Sequence, residues 1–300
     1  MLATMLWEQA MSWHRVRYKK VNLGEVEMFN REPGAEAAPV LLLLHGFPTS
    51  SHMYRDLILQ LADRHRIVAP DLPGFGSTKA PARGAYAYTF GNLYKAVLAL
   101  VDTLKLERFG LMVFDYGAPV GFRLAAAYPN RISAIITQNG NVYEVGLREA
   151  NIQPMRAYWE NPSPANRDAL RSFLTIDATR FQYTHGVPED KLELVSPDAV
   201  AHDQAILDRD PEVQLDLFGD YKSNIALYPR WQEYLRATRP PVLAVWGKGD
   251  PFFAPAGAHA FRNDVPDAEI HLFDTGHFAL ETDGPEIAAL IRDLLGRKGC

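Results

Sequence analysis

Short unbroken apolar runs alternate along the chain with longer segments whose apolar residues recur at helical spacing. Residues 14–20 and 25–30 read as an antiparallel pair of strands. The run PVLLLLH at 39–45 is apolar throughout, as expected of a strand covered on both faces. A helical stretch at 51–62 leads to a short strand, RIVAP, at 66–70. Residues 89–106 are patterned as a helix and 108–114 as the next strand. Residues 119–127 suit a helix with Pro119 tolerated in its first turn. Strands follow at 131–137 (RISAIIT), 241–246 (PVLAVW) and 269–273 (EIHLF), and residues 285–295 close the chain as a helix.

Apolar strands alternating with helices predict a largely parallel α/β sheet. Between about residues 141 and 239 the alternation stops, and Pro, Tyr and charged residues surround helical segments such as 165–174 and 198–207. The expected organisation is a core of residues 1–140 and 240–300 carrying an inserted helical lid at 141–239. The segment GFGSTKAPARGAY from Gly74 to Tyr86 reads as a long loop and not as a domain linker.

Composition narrows the classes. At 47% hydrophobic and 22% charged residues, the chain is ordinary for a globular protein. A net charge of -5 without a basic stripe argues against a nucleic-acid partner. The opening MLATMLWEQAMSW lacks the basic start and apolar run of a secretory signal, and no apolar segment nears the ~20 residues of a membrane span. The single Cys300 excludes an intrachain disulfide. A cytoplasmic protein is expected, monomeric or homodimeric, with no membrane partner.

Candidate chemistry sits at strand ends. In LMVFDYGAPV an apolar strand stops at Asp115, followed by small residues where a sharp strand-to-helix turn needs room. Asp115 fits two roles, a helix N-cap or the nucleophile of an elbow whose usual form is G-x-S-x-G. The segment HGFPT at 45–49 can aim backbone N–H groups at developing negative charge, or simply form a Gly-Pro turn. Phe47 and Tyr116 are the candidate amide donors of an oxyanion hole. Two further strand ends carry WGKGDP, with Asp250, and DTGHF, with His277. Asp115, Asp250 and His277 thus occur in the order nucleophile, acid, base. Asp274 is a weaker rival for the acid, and TQNGN at 137–141 offers polar side chains that position water or form a turn, with the turn favoured.

With LLLLHGFPTSS, APDLPGFGST, VFDYGAP, WGKGDPF and DTGHF in this order, the chain resembles the α/β-hydrolase superfamily over nearly its whole length. The Asp at the elbow is similar to the branch holding epoxide hydrolases, haloalkane dehalogenases and fluoroacetate dehalogenases. The resemblance implies a mostly parallel eight-stranded sheet flanked by helices, with an inserted helical cap. It also implies an alkyl-enzyme ester on Asp115, hydrolysed by water that His277 and Asp250 activate, with no metal and no organic cofactor.

Within that branch the halide and carboxylate donors of the dehalogenases are missing. Tyr116 and Phe47 stand where haloalkane dehalogenases carry Trp and Asn, and Tyr116 and Pro119 where fluoroacetate dehalogenases carry Arg. Trp159 and Trp231 are alternative halide donors from the lid. Asp220-Tyr221-Lys222-Ser223-Asn224 resembles the lid segment that supplies a phenol in epoxide hydrolases, which nominates Tyr221 as proton donor or as packing. Met155 falls where a second phenol is expected; Tyr158, Tyr143, Tyr183 and His185 are substitutes. Phe114 replaces the His or Gln that many relatives carry before the nucleophile. The resemblance thus favours an epoxide-to-diol hydrolase, with an apolar epoxide or organohalide as the small-molecule substrate. The alternatives are a dehalogenase and a non-catalytic binding protein of the same fold.

Overall fold

A computed structural model of the chain describes residues 15–299. The leader at 1–13, the first position of the predicted opening strand, His14, and Cys300 lie outside the described residues. Eight strands form one sheet: β1 Arg17–Asn22, β2 Glu27–Glu32, β3 Val40–Leu44, β4 Arg66–Pro70, β5 Phe109–Phe114, β6 Ile132–Gln138, β7 Val242–Gly247 and β8 Glu269–Phe273. Their spatial order is β1-β2-β4-β3-β5-β6-β7-β8. The β1/β2 and β2/β4 pairs are antiparallel and all others parallel. Every residue of β5, β6 and β7 is buried, which accounts for the apolar runs of β5 and β7. Each of Leu41 to Leu44 is removed from water, worth about 1.5–3 kcal/mol per side chain relative to exposure.

Helices α1 Leu57–Leu61, α2 Phe90–Thr103 and α3 Gly117–Ala127 belong to the first half of the sheet. The single helix expected over 51–62 is instead a 3-10 turn, Ser51–Tyr54, followed by the short α1. Between β6 and β7 the chain leaves the sheet for α4 Glu149–Glu160, α5 Pro164–Ala169, α6 Ile176–Thr184, α7 Pro197–Leu207, α8 Pro211–Asp220, α9 Lys222–Ile225 and α10 Tyr228–Thr238. Helices α11 Pro255–Asp264 and α12 Ala279–Lys298 complete the chain. The last begins six residues before Pro285, with non-helical backbone at Asp283. Pro285 removes a helical N–H and crowds the preceding turn, so the ladder breaks there and resumes.

The excursion between β6 and β7 is tied to the sheet layers by partly buried polar contacts. Arg123 on α3 donates to Asn224 Oδ1 at 2.7 Å and to Ser223 Oγ at 3.1 Å. The Phe90 N–H, at the start of α2, donates to Asp220 Oδ2 at 2.8 Å. The strand order reverses about β3, and the crevice beyond the carboxyl ends of such strands is where open α/β sheets bind ligands.

Candidate active site

β5 ends at Phe114, and Asp115 takes a positive φ of 43°. Left-handed backbone at a non-glycine residue costs on the order of 1–3 kcal/mol and persists only where the surroundings hold it. They do so by close approach. A Cβ on Gly117 would lie 2.0 Å from the Leu44 carbonyl oxygen, and one on Gly46 2.4 Å from Asp115 Oδ1. The Asp115 side chain caps no helix: α3 lacks a side-chain cap. Its carboxylate turns instead toward β3, where Oδ1 accepts the Phe47 N–H at 2.6 Å, and the Tyr116 N–H also bonds it. The His45 side chain fixes the turn that presents Phe47. Its Nε2 accepts the Leu72 N–H at 2.9 Å, which leaves Nδ1 to donate to the Gly46 carbonyl at 3.0 Å.

His277 and Asp250 arrive from the ends of β8 and β7, both buried, with His277 Nδ1 2.7 Å from Asp250 Oδ2. Asp250 Oδ1 accepts the N–H groups of Phe252 at 2.7 Å and Phe253 at 3.1 Å. Asp274 is exposed and faces Lys248 at 3.6 Å, away from His277. Burial, the largest influence on His277, favours its neutral form. The charge and hydrogen bond of Asp250, helped by Asp115, outweigh it, so the His277 pKa is raised. Burial dominates at Asp115 and lifts its pKa to about 6, although His277 and the two amides pull the other way.

Asp115 and His277 form the floor of a cavity of about 50 Å³, room for a few waters or a small organic molecule. Phe47, Tyr116, Phe252 and Phe253 continue the floor. Ile152 and Met155 of α4, Phe173, Gln182 of α6, Phe218 of α8 and Tyr221 form walls and roof. Of the three lid phenols nominated from sequence, Tyr221 alone is brought to this cavity. Its ring centroid is 5.9 Å from that of Tyr116. Burial, with Tyr228 and Asp115 nearby, raises its pKa well above the ordinary phenol value, so it stays protonated.

Two of the nominations require correction. Tyr143 donates to Asp264 Oδ2 at 2.6 Å and packs on Phe261, because its loop folds toward α11 and away from the cavity. Tyr158 lies near the end of α4, against Gly219 and in an outer hollow with Arg167. The substitutes Tyr183 and His185 do not line the cavity: Tyr183 bonds Asp203 and stacks on Phe278, and His185 is exposed beside Phe181. The described tryptophans are committed elsewhere. Trp159 Nε1 donates to the Phe218 carbonyl and Trp246 Nε1 to that of Phe253, while Trp231 packs among Phe122, Tyr228 and Arg123.

Several residues escaped the sequence reading. Asn139, in the segment read as a turn, does turn the chain, with φ 48°. It also donates from Nδ2 to Asp250 Oδ2 at 2.5 Å and accepts the Gly247 N–H at 3.1 Å. Gln138 Nε2 donates to the His277 carbonyl at 2.8 Å. Arg148 Nε donates to the Asp250 carbonyl at 2.7 Å. A positive φ at Asn is common in turns, and nothing in a single sequence separates a turn-forming Asn from one that also holds a carboxylate. Among the described residues no cluster of three His, Cys, Asp or Glu side chains is arranged for a metal ion, and no helix is long and apolar enough to cross a membrane.

A strained strand-end carboxylate between two amides, with a histidine–carboxylate pair arriving from later strands, belongs to a known architecture. Residues 39–284 match the alpha/beta hydrolase fold family, and the chain belongs to it. It is a hydrolase of that family, and its relatives include haloalkane dehalogenases. It is 45% identical over 278 residues to the uncharacterized hydrolase YNR064C of Saccharomyces cerevisiae, covering 91% of this chain and 94% of that protein. A haloalkane dehalogenase of Mycolicibacterium paratuberculosis is 28% identical over 274 residues, covering 89% of this chain and 86% of that enzyme. The crystal structure of haloalkane dehalogenase DbeA from Bradyrhizobium elkani superposes with a TM-score of 0.75 at 22% identity, over 95% of this chain and 99% of that one, a likeness of fold.

Proposed function

We propose that the chain hydrolyses a small epoxide to its diol through an ester on Asp115, with residues 141–239 acting as the cap. The observation that carries this reading is the position of Tyr221. A protonated phenol lines the same cavity as Asp115, while none of the described tryptophans lines it to hold a halide. An epoxide needs such a donor, because its leaving oxygen stays attached to the product carbon and must be protonated.

In the first step Asp115 Oδ2 attacks an epoxide carbon. The ring C–O bond breaks toward oxygen, which takes the Tyr221 proton. In the second, a water molecule loses a proton to His277 Nε2 and adds to the Asp115 carboxyl carbon. The amides of Phe47 and Tyr116, already bonded to the carboxylate, hold the tetrahedral oxyanion. Collapse expels the diol oxygen, which takes the proton back from His277. The proton left on the Asp115 carboxyl restores the Tyr221 phenol, so one water is consumed per epoxide.

The dehalogenase relatives favour a second reading, in which the same ester forms from an organohalide. The test is a single turnover in oxygen-18 water with small epoxides and bromoalkanes, scoring diol and halide separately. The epoxide reading expects faster diol release, with the first diol free of label and the label retained on Asp115. Faster halide release would transfer the mechanism to organohalides. No turnover of either class would favour a binding protein.

A further inference from the structure

Buried polar side chains are nearly always hydrogen-bonded, and an exception marks a place where a partner is missing. The buried face of α6 carries three: Thr179, Gln182 and Tyr183. Thr179 Oγ1 donates to Gln204 Oε1 at 2.7 Å, and Tyr183 to Asp203. Gln204 is itself engaged by the Leu174 carbonyl at 3.0 Å and Asp208 at 2.7 Å. Gln182 is only 3% exposed, and among the described residues nothing hydrogen-bonds its amide. It lines the cavity above Asp115.

Two other polar groups of the wall are held by backbone carbonyls. Arg148 Nε is held by the Asp250 carbonyl, and Asn151 Nδ2 by that of Pro251. The wall around Gln182 includes Phe173, Ile152 and Met155, which offer no hydrogen bond. A bound molecule with a polar atom opposite the Gln182 amide supplies the hydrogen-bond partner that the wall does not.

We infer that Gln182 is a specificity-determining residue that binds a neutral oxygen substituent, a hydroxyl or carbonyl, carried by the substrate beside its electrophilic carbon. The inference rests on the ester reading of Asp115 and adds to it a substrate class: small epoxides bearing an oxygen function. A site built to hydrogen-bond a substrate discriminates strongly against the analogue that lacks the group, because the buried amide is then left unpaired.

Glycidol and 1,2-epoxybutane form a matched pair, differing by a hydroxyl in place of a methyl group. The wild-type protein is expected to favour glycidol in kcat/KM. Gln182→Met, similar in length and without the amide, is expected to shift that ratio by about 10-fold or more toward epoxybutane. Gln182→Glu, which keeps an acceptor, retains the hydroxyl preference and guards against a misfolded Met variant. An equal fall for both substrates in Gln182→Met would overturn the inference and make Gln182 a holder of the hydrolytic water. An unchanged ratio overturns it too.

The pair 2-bromoethanol and 1-bromopropane repeats the comparison with a halide leaving group. A ratio that shifts only in this pair upholds Gln182 and removes the epoxide reading. If neither pair reacts, the ester reading fails. Binding of the same pairs to the intact protein, followed by ligand-observed NMR, then decides Gln182 alone: a hydroxyl preference lost in Gln182→Met supports it, and equal binding refutes it.

Discussion

Asn139 Nδ2 lies 2.5 Å from Asp250 Oδ2, the same oxygen that His277 Nδ1 approaches at 2.7 Å. One carboxylate oxygen is thus shared between a histidine that must move a proton and an amide that only holds position. Asn139→Ala removes the second bond. A hydrogen bond to a charged group contributes about 1.5–3 kcal/mol, so kcat is expected to fall about 10-fold or more. Asp250 then leans on His277 alone, and the acid limb of the pH profile moves upward. An unchanged limb with a lower melting temperature would make Asn139 purely structural.

Two ionisations govern the proposed steps, and they separate in pH. Ester formation needs Asp115 ionised and is expected to fall as pH drops through about 6. Ester hydrolysis needs neutral His277, whose raised pKa places its limb above the ordinary imidazole value of 6.5. Between these limbs the ester accumulates. Rapid-quench mass spectrometry across pH 5–8 reads the amount, and a single limb common to both steps would contradict the assignment.

The buried Asp115 charge opposes folding. Its pKa is about 6 in the folded chain against 3.8 for a free side chain. The folded state therefore binds the proton more tightly, and stability falls as pH rises from about 4 to about 6, then stays lower. The difference is on the order of 2–3 kcal/mol. Asp115→Asn is expected to stabilise the chain by that order at pH 8 and by progressively less toward pH 4. Urea denaturation at the two pH values checks both the sign and its disappearance.

Tyr221→Phe separates the leaving groups. Epoxide opening is expected to slow at least 100-fold, within the range that a general acid contributes, while attack on a bromoalkane, which needs no proton, changes little. Equal losses for both would mean that the phenol only shapes the cavity.

How much of this was legible in the sequence depends on how local each signal is. The strands 66–70 and 269–273 read to their observed ends, because an apolar run between polar boundaries is a local pattern. The last helix was read short at its start, since Pro285 resembles a helix opening when it follows a kink. Asp115, Asp250 and His277 stood out through their order and strand-end placement, and the structure brings them together. Tyr143 and Tyr158 could not be sorted from Tyr221, because which face of a lid segment meets the sheet is a long-range matter. Asn139 and Gln182 left no trace of their own. The first is defined by a carboxylate 111 residues away, the second by the absence of any partner.

The central claim is that Asp115 carries the substrate as an ester that His277 releases. His277→Gln, incubated with a reactive small epoxide such as glycidol, then denatured and mapped by mass spectrometry, tests it most directly. The account predicts one adduct of the substrate's full mass on the peptide containing Asp115, stable in the variant and transient in the wild-type protein. Diol formation by the variant without any adduct, or an adduct on a residue other than Asp115, would contradict it.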